Sequence, residues 1–169
     1  MKQILMAFAI LLEGFISTES MAQKNNRQVG KNGMLIEWHH QNDSVRFKMS
    51  APTQGWIAIG FNDREGIRGT YLLMGRVHNM QAEVVEHYTQ NPGNYRPITD
   101  LGGQSLVHGI DGRESDHKTV VRFSVPTKAQ TAYRSDFSPG KKYFLTLAFS
   151  REDDFQHHSM MRTSVKITL

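Results

Sequence analysis

A chain of 169 residues with 20 Lys and Arg against 16 Asp and Glu, a net charge of +4 and no cysteine is sized for one domain. It excludes thiolate catalysis, disulfide scaffolds and cysteine-ligated metal or iron–sulfur centres. Its basic excess is scattered over Arg64, Arg68, Arg76, Arg96, Lys141 and Lys142 and forms no stripe, so no nucleic-acid partner is expected.

Met1-Lys2-Gln3 opens the chain, followed by a mostly apolar stretch over 4–12 and a polar, small-residue zone ending Ser20-Met21-Ala22. One positive charge, a short apolar core and a small-x-small site predict a signal peptide over 1–22, cleaved after Ala22. The apolar stretch is too short for a bilayer, which takes about 20 residues. The expected product is secreted or periplasmic, with no transmembrane segment and Gln23 at its N-terminus. Residues 23–31 are polar and expected to be flexible; residues 32–169 are expected to form the folded domain.

Strand-like pieces follow at short spacing over 34–38, 45–49, 56–61, 70–77 and 82–88, then 119–125, 143–149 and 163–169. Val45-Arg46-Phe47-Lys48-Met49 and Val165-Lys166-Ile167-Thr168-Leu169 alternate apolar and polar residues, as strands with one buried and one wet face do. Asn42-Asp43-Ser44, Pro92-Gly93-Asn94, Gly102-Gly103, Asp111-Gly112 and Pro139-Gly140 supply turns between the pieces. No stripe with a helical period occurs after the leader. Many short strands punctuated by turns predict an all-β antiparallel sandwich or barrel. Residues 89–118 show little regular pattern, and a connection of that length in a small domain is usually functional.

Two glycine-bounded apolar runs are the most informative segments: Gly55-Trp56-Ile57-Ala58-Ile59-Gly60-Phe61-Asn62 and Gly69-Thr70-Tyr71-Leu72-Leu73-Met74-Gly75. Further on come Thr119-Val120-Val121-Arg122-Phe123, the strand end Ala148-Phe149, the acidic turn Asp153-Asp154, the doublet His157-His158 and Arg162. In this order the segments resemble the DOMON domain, named for the N-terminal domain of dopamine β-monooxygenase. The resemblance runs from about Met34 to Leu169. It implies an immunoglobulin-like sandwich that binds haem b or sugar and does no chemistry alone.

Haem-binding members of that family hold the iron between a methionine and a histidine. Such a pair raises the reduction potential and leaves no open coordination position, which suits electron transfer. The family's methionine position falls at Ile67, which cannot ligate iron. Its histidine position falls near Arg162, where Met161 stands with His157 and His158 just upstream. Met74 ends the second glycine-bounded run. The resemblance therefore implies His158, His157, Met74 and Met161 as cofactor-binding residues, haem b as cofactor and a redox protein as partner. Core packing is the competing role for Met74, and a surface turn is the competing role for the doublet.

The alternative is a carbohydrate or other small-molecule module without haem, with Tyr88, Tyr95 and Tyr133 as aromatic platforms and Trp56 and Trp38 filling the core. An enzyme is not expected. The sequence has no Ser-His-Asp order, nucleophile elbow or paired-carboxylate motif, and Asp153-Asp154, Glu83 and Glu86 read as solvated charges. Adjacent histidines on a strand point to opposite faces, and no His-x-His occurs, so no metal-ion site is expected.

Overall fold

The computed structural model describes residues 27–169, so the expected signal peptide and residues 23–26 lie outside it. Among the described residues eleven strands run β1(Arg27–Lys31), β2(Met34–Gln41), β3(Ser44–Ala51), β4(Ile57–Asn62), β5(Tyr71–His78), β6(Gln81–Asn91), β7(Asn94–Pro97), β8(His108–Ser115), β9(Lys118–Pro126), β10(Lys142–Phe149) and β11(Met161–Thr168). A 3₁₀ turn, Ile98–Leu101, follows β7. The strands pair antiparallel into two sheets, β1-β2-β3-β9-β8 and β11-β10-β4-β5-β6-β7. This is the expected all-β sandwich. No helix among the described residues is long and apolar enough to cross a membrane.

Strand alternation sorts the side chains by face. Trp38, Phe47, Ile59, Phe61, Leu73, Val121, Phe123, Leu145 and Leu147 meet between the sheets in one core cluster. Phe137 comes from the β9–β10 connection and sits among these rings, 4.7 Å from Phe61 and 5.5 Å from Phe47 between centroids. Its backbone is tied at both ends: its N–H donates to Thr127 O at 2.7 Å, and its carbonyl lies 2.6 Å from His40 Nε2.

Three expectations need correction. Arg27–Lys31, expected within the flexible segment, pairs residue for residue with β2 from Arg27↔Trp38 to Lys31↔Met34. Its Arg27 and Lys31 also donate to the carbonyls of Thr168 and Ser164 on β11 at 3.0 and 2.9 Å, so two exposed sheet edges cover each other. Residues 89–118, expected to be irregular, contain β7 and β8. The latter is almost wholly exposed and held to β9 across a register shift between His108 and Asp111. Trp56, expected in the main core, instead belongs to a second apolar cluster with Ala58, Leu72, Met74, Ala148 and Phe155.

Candidate functional site

That second cluster occupies the outer face of the six-stranded sheet. β4 is buried along its whole length, as Ile57, Ile59 and Phe61 face inward while Ala58 and Gly60 face outward. Register places Ala148, Ala58, Met74 and Val85 side by side across β10, β4, β5 and β6. Small residues in the middle of this row leave a depression. Beside it the Leu72 and Thr70 side chains close over Gly60, where a Cβ would come within 2.6 Å of Leu72 Cδ2 and 2.7 Å of Thr70 Cγ2.

Two connections and a hairpin wall the depression. The first, residues 62–70, is fixed by buried Asn62, whose side-chain amide donates toward the carbonyls of Gly66 and Arg68 at 3.1 and 3.0 Å and Thr70 Oγ1 at 3.1 Å. Gly69 N–H donates to Thr89 O at 2.8 Å, binding this connection to β6. Half-buried Ile67 thereby stands in the wall.

The second connection, residues 150–160, is clamped by Arg76. The guanidinium lies 4.6 Å from the centre of the Phe155 ring, donates to Asp153 O at 2.8 Å and holds Glu83 at 2.7 Å. His78 Nδ1 meets Asp153 Oδ2 at 3.1 Å. Tyr95 of β7 donates its hydroxyl to Phe155 O. Ser150 donates to His158 O at 3.2 Å, and Trp56 N–H donates to Glu152 O at 3.0 Å.

Behind this wall His87 lies under Tyr95 and Phe155, at 5.6 and 5.9 Å between ring centroids. Its burial lowers its pKa, against a smaller upward pull from its contact with the Val85 carbonyl and from Asp100 and Glu83. Burial, with a contribution from the Asp154 charge, raises that of Tyr95.

The enclosed space is a cavity of about 130 Å³. An adjoining groove of about 360 Å³ shares Ile67, Thr146 and Arg162 with it. Met74, His157 and His158 all line the cavity, Met74 buried at 3 % exposure and the two histidines exposed at its rim. Met161 does not line it. On β11 the odd residues Met161, Val165 and Ile167 pack against the core between the sheets, so Arg162 is the one that turns to the cavity.

Of the tyrosines expected as platforms, Tyr95 lines the cavity, whereas Tyr88 and Tyr133 stack edge to face at 5.2 Å outside its lining. Trp56 and Thr89 also line it. Thr89 carried no sequence signal, because its place depends on the pairing of β6 with residues 69–70. Among the described residues no group of three or more His, Cys, Asp and Glu is placed to hold a metal ion. What the arrangement offers is an apolar slot with a thioether in its wall, two imidazoles at its rim and a guanidinium at its mouth.

Two comparisons bear on the fold. The DOMON domain family model matches residues 30–150. The crystal structure of the cytochrome b domain of pyranose dehydrogenase from Coprinopsis cinerea has the same fold, with a TM-score of 0.59 at 11 % identity over 86 % of this chain and 81 % of that one.

Proposed function

Because the chain belongs to the DOMON domain family, we propose that it is an exported, non-catalytic binding module whose outer-face cavity takes haem b for electron transfer. The observation that carries this reading is the convergence of Met74, His157 and His158 on one cavity. Sulfur and imidazole are the donors that suit a six-coordinate haem, and the floor of Ala58 and Ala148 suits a flat ring. Arg162 at the mouth, which makes no ion pair among the described residues, suits the ring's carboxylates. On this reading the macrocycle occupies the cavity and the groove beside it, with one edge toward solvent for a redox partner protein. A bound haem supplies a one-electron couple, and thioether with imidazole ligation raises its potential. The chain's own residues exclude water with Trp56, Leu72 and Phe155 and hold the rim with the Arg76 clamp.

Ile67 stands in the wall where the resemblance places the family's methionine, so on this reading the thioether comes from Met74. That same observation favours a second reading, a carbohydrate or other small molecule without haem, with Tyr95 as its aromatic contact. Absorption spectra separate the two. Protein incubated with haemin is expected to give a Soret band that sharpens with resolved α and β bands on dithionite reduction. Replacing His157 and His158 together by Ala should abolish the reduced bands, and Met74→Leu should shift them while much of the haem is retained. Wild-type protein that takes up no haemin would overturn the haem reading in favour of the second.

A further inference from the structure

The strands at one corner of the sandwich carry no acidic residue. β1 reads Arg-Gln-Val-Gly-Lys, β10 Lys-Tyr-Phe-Leu-Thr-Leu-Ala-Phe and β11 Met-Arg-Thr-Ser-Val-Lys-Ile-Thr. Their cations lie far apart in the chain and are gathered by the pairing. Lys142 stands opposite Thr168, and Phe144 opposite Lys166, with Tyr143, Leu145 and Ile167 turned to the core and these four left on the outer face. Lys166 Nζ lies 5.0 Å over the Phe144 ring, and both lysines line a groove of about 310 Å³. On the open edge of β11 the Arg27 guanidinium and the Lys31 ammonium sit on main-chain carbonyls, which leaves their charge unneutralised. Arg27, Lys31, Lys142 and Lys166 are all exposed, and none makes an ion pair among the described residues. Asp63 is the one carboxylate that lines the groove.

This strip leads to the cavity. Thr146 and Ser164, the next pair along β10 and β11, line the second groove together with Arg162 at the mouth. Between cavity-lining Ser159 and Arg162 in the chain stands Met160, 49 % exposed, one of three large apolar side chains exposed among the described residues. An apolar side chain bordered by charges is how protein-binding faces are built, with the charges setting which partner approaches. A lipid surface would need an apolar face to enter it, and this one offers Met160 among lysines, serine and threonines.

We propose that the outer β10–β11 face, with Arg27, Lys31 and Met160 at its borders, is the docking surface for an acidic protein. Its carboxylates meet Lys142, Lys166, Arg27 and Lys31, and its body covers the cavity mouth. The inference rests on the haem reading only for the partner's purpose, which is to exchange an electron; the surface itself does not depend on what fills the cavity.

The test titrates the protein, with and without haemin, with plastocyanin as an acidic electron-transfer protein, cytochrome c as a basic one, and phosphatidylglycerol vesicles. Binding is followed by calorimetry at low and high salt. The protein is expected to bind plastocyanin and not cytochrome c, and to lose about tenfold in affinity when salt rises to about 0.2 M. Lys142→Glu with Lys166→Glu should weaken binding by about tenfold or more and flatten the salt dependence. Arg113→Glu with Lys118→Glu removes the same charge from exposed, unpaired positions on the other sheet and should stay within about twofold of wild type. Met160→Ser is expected to weaken binding with the salt dependence intact.

If the charge reversal fails to fold, Lys142→Gln with Lys166→Gln decides in its place. Equal losses in the two reversed variants would mean that net charge alone is read, and would overturn the inference. So would equal binding of cytochrome c, or binding to vesicles and not to plastocyanin. Protein that takes up haemin but ignores plastocyanin overturns this inference and leaves the haem reading standing. Protein that takes up no haemin but binds plastocyanin through Lys142 and Lys166 overturns the haem reading and supports this one.

Discussion

His87 shows how much of the site depends on single side chains that never touch the cavity. It is 1 % exposed, with Nδ1 3.2 Å from the Val85 carbonyl, and it supports the two rings that carry the rim. Burial favours its neutral form and moves its pKa below the ordinary value of 6.5. As pH falls through about 6.5 the unfolded chain takes up a proton that the folded chain still refuses. The contribution of His87 to stability is therefore complete above that pH and is lost as pH drops toward the folded-state pKa. Melting temperature is expected to decline as pH falls below about 6.5, and His87→Phe, which keeps an aromatic under Tyr95 and Phe155, should flatten that limb. A limb of unchanged depth in the variant would assign the acid sensitivity to another group.

At the scale of elements, the connection over residues 150–160 carries both histidines, and it is seated by a close approach to the chain before β4. A Cβ added at Gly55 would lie 2.5 Å from Glu152 N and 2.6 Å from Glu152 O, backbone atoms that no rotamer change can move aside. Gly55→Ala is expected to cost about 3 kcal/mol and to lift the connection from the sheet. Hydrogen exchange should quicken across residues 150–160 while the β3–β9 amides stay protected, and haemin uptake should fall with it. Uniformly faster exchange would mean the glycine supports the whole fold and not this connection.

The same connection explains what was legible in the sequence and what was not. β3 and β11 alternate plainly, and β4, β5 and β10 carry the near-continuous apolar runs of strands covered on both faces. The runs revealed that a second face is covered, but not by what, since the cover is turn residues without a period. β1, β7 and β8 escaped because polar residues on an edge owe their strand conformation to the neighbour they pair with. Met161 was misplaced for a related reason: on β11 one residue of register exchanges the core side for the cavity side, and the choice of Arg162 over Met161 is made by pairing with β10 at Ala148↔Arg162.

For the molecule as a whole, the two sheets are joined by dispersion in the core, by the Arg27 and Lys31 bonds to β11 at one edge, and by contacts around an ion pair sealed from water. The Arg134 side chain is 3 % and the Glu86 side chain 0 % exposed where the two meet, so Glu86 is not the solvated charge expected of it. Glu86 also accepts the Tyr71 hydroxyl and the Leu106 N–H, the latter at 2.8 Å. One carboxylate thus gathers β5 and β6 of the six-stranded sheet, the approach to β8 of the other sheet, and the β9–β10 connection that carries Phe137 into the core. Burial and the adjacent Glu86 charge raise the Tyr71 pKa well above its ordinary value, which keeps the hydroxyl protonated and donating.

Desolvating two charges offsets most of their attraction, so the pair as a whole adds little net stability, whereas stranding either partner is costly. Glu86→Gln and Arg134→Met are each expected to destabilise by about 3–5 kcal/mol in urea unfolding, since each leaves one side of the contact uncompensated. The double variant Glu86→Leu with Arg134→Met strands no charge and should lose clearly less than the two single losses added together. Additive losses would mean that each side chain acts through its own packing, and the join between the sheets would then rest on the aromatic core around Phe137.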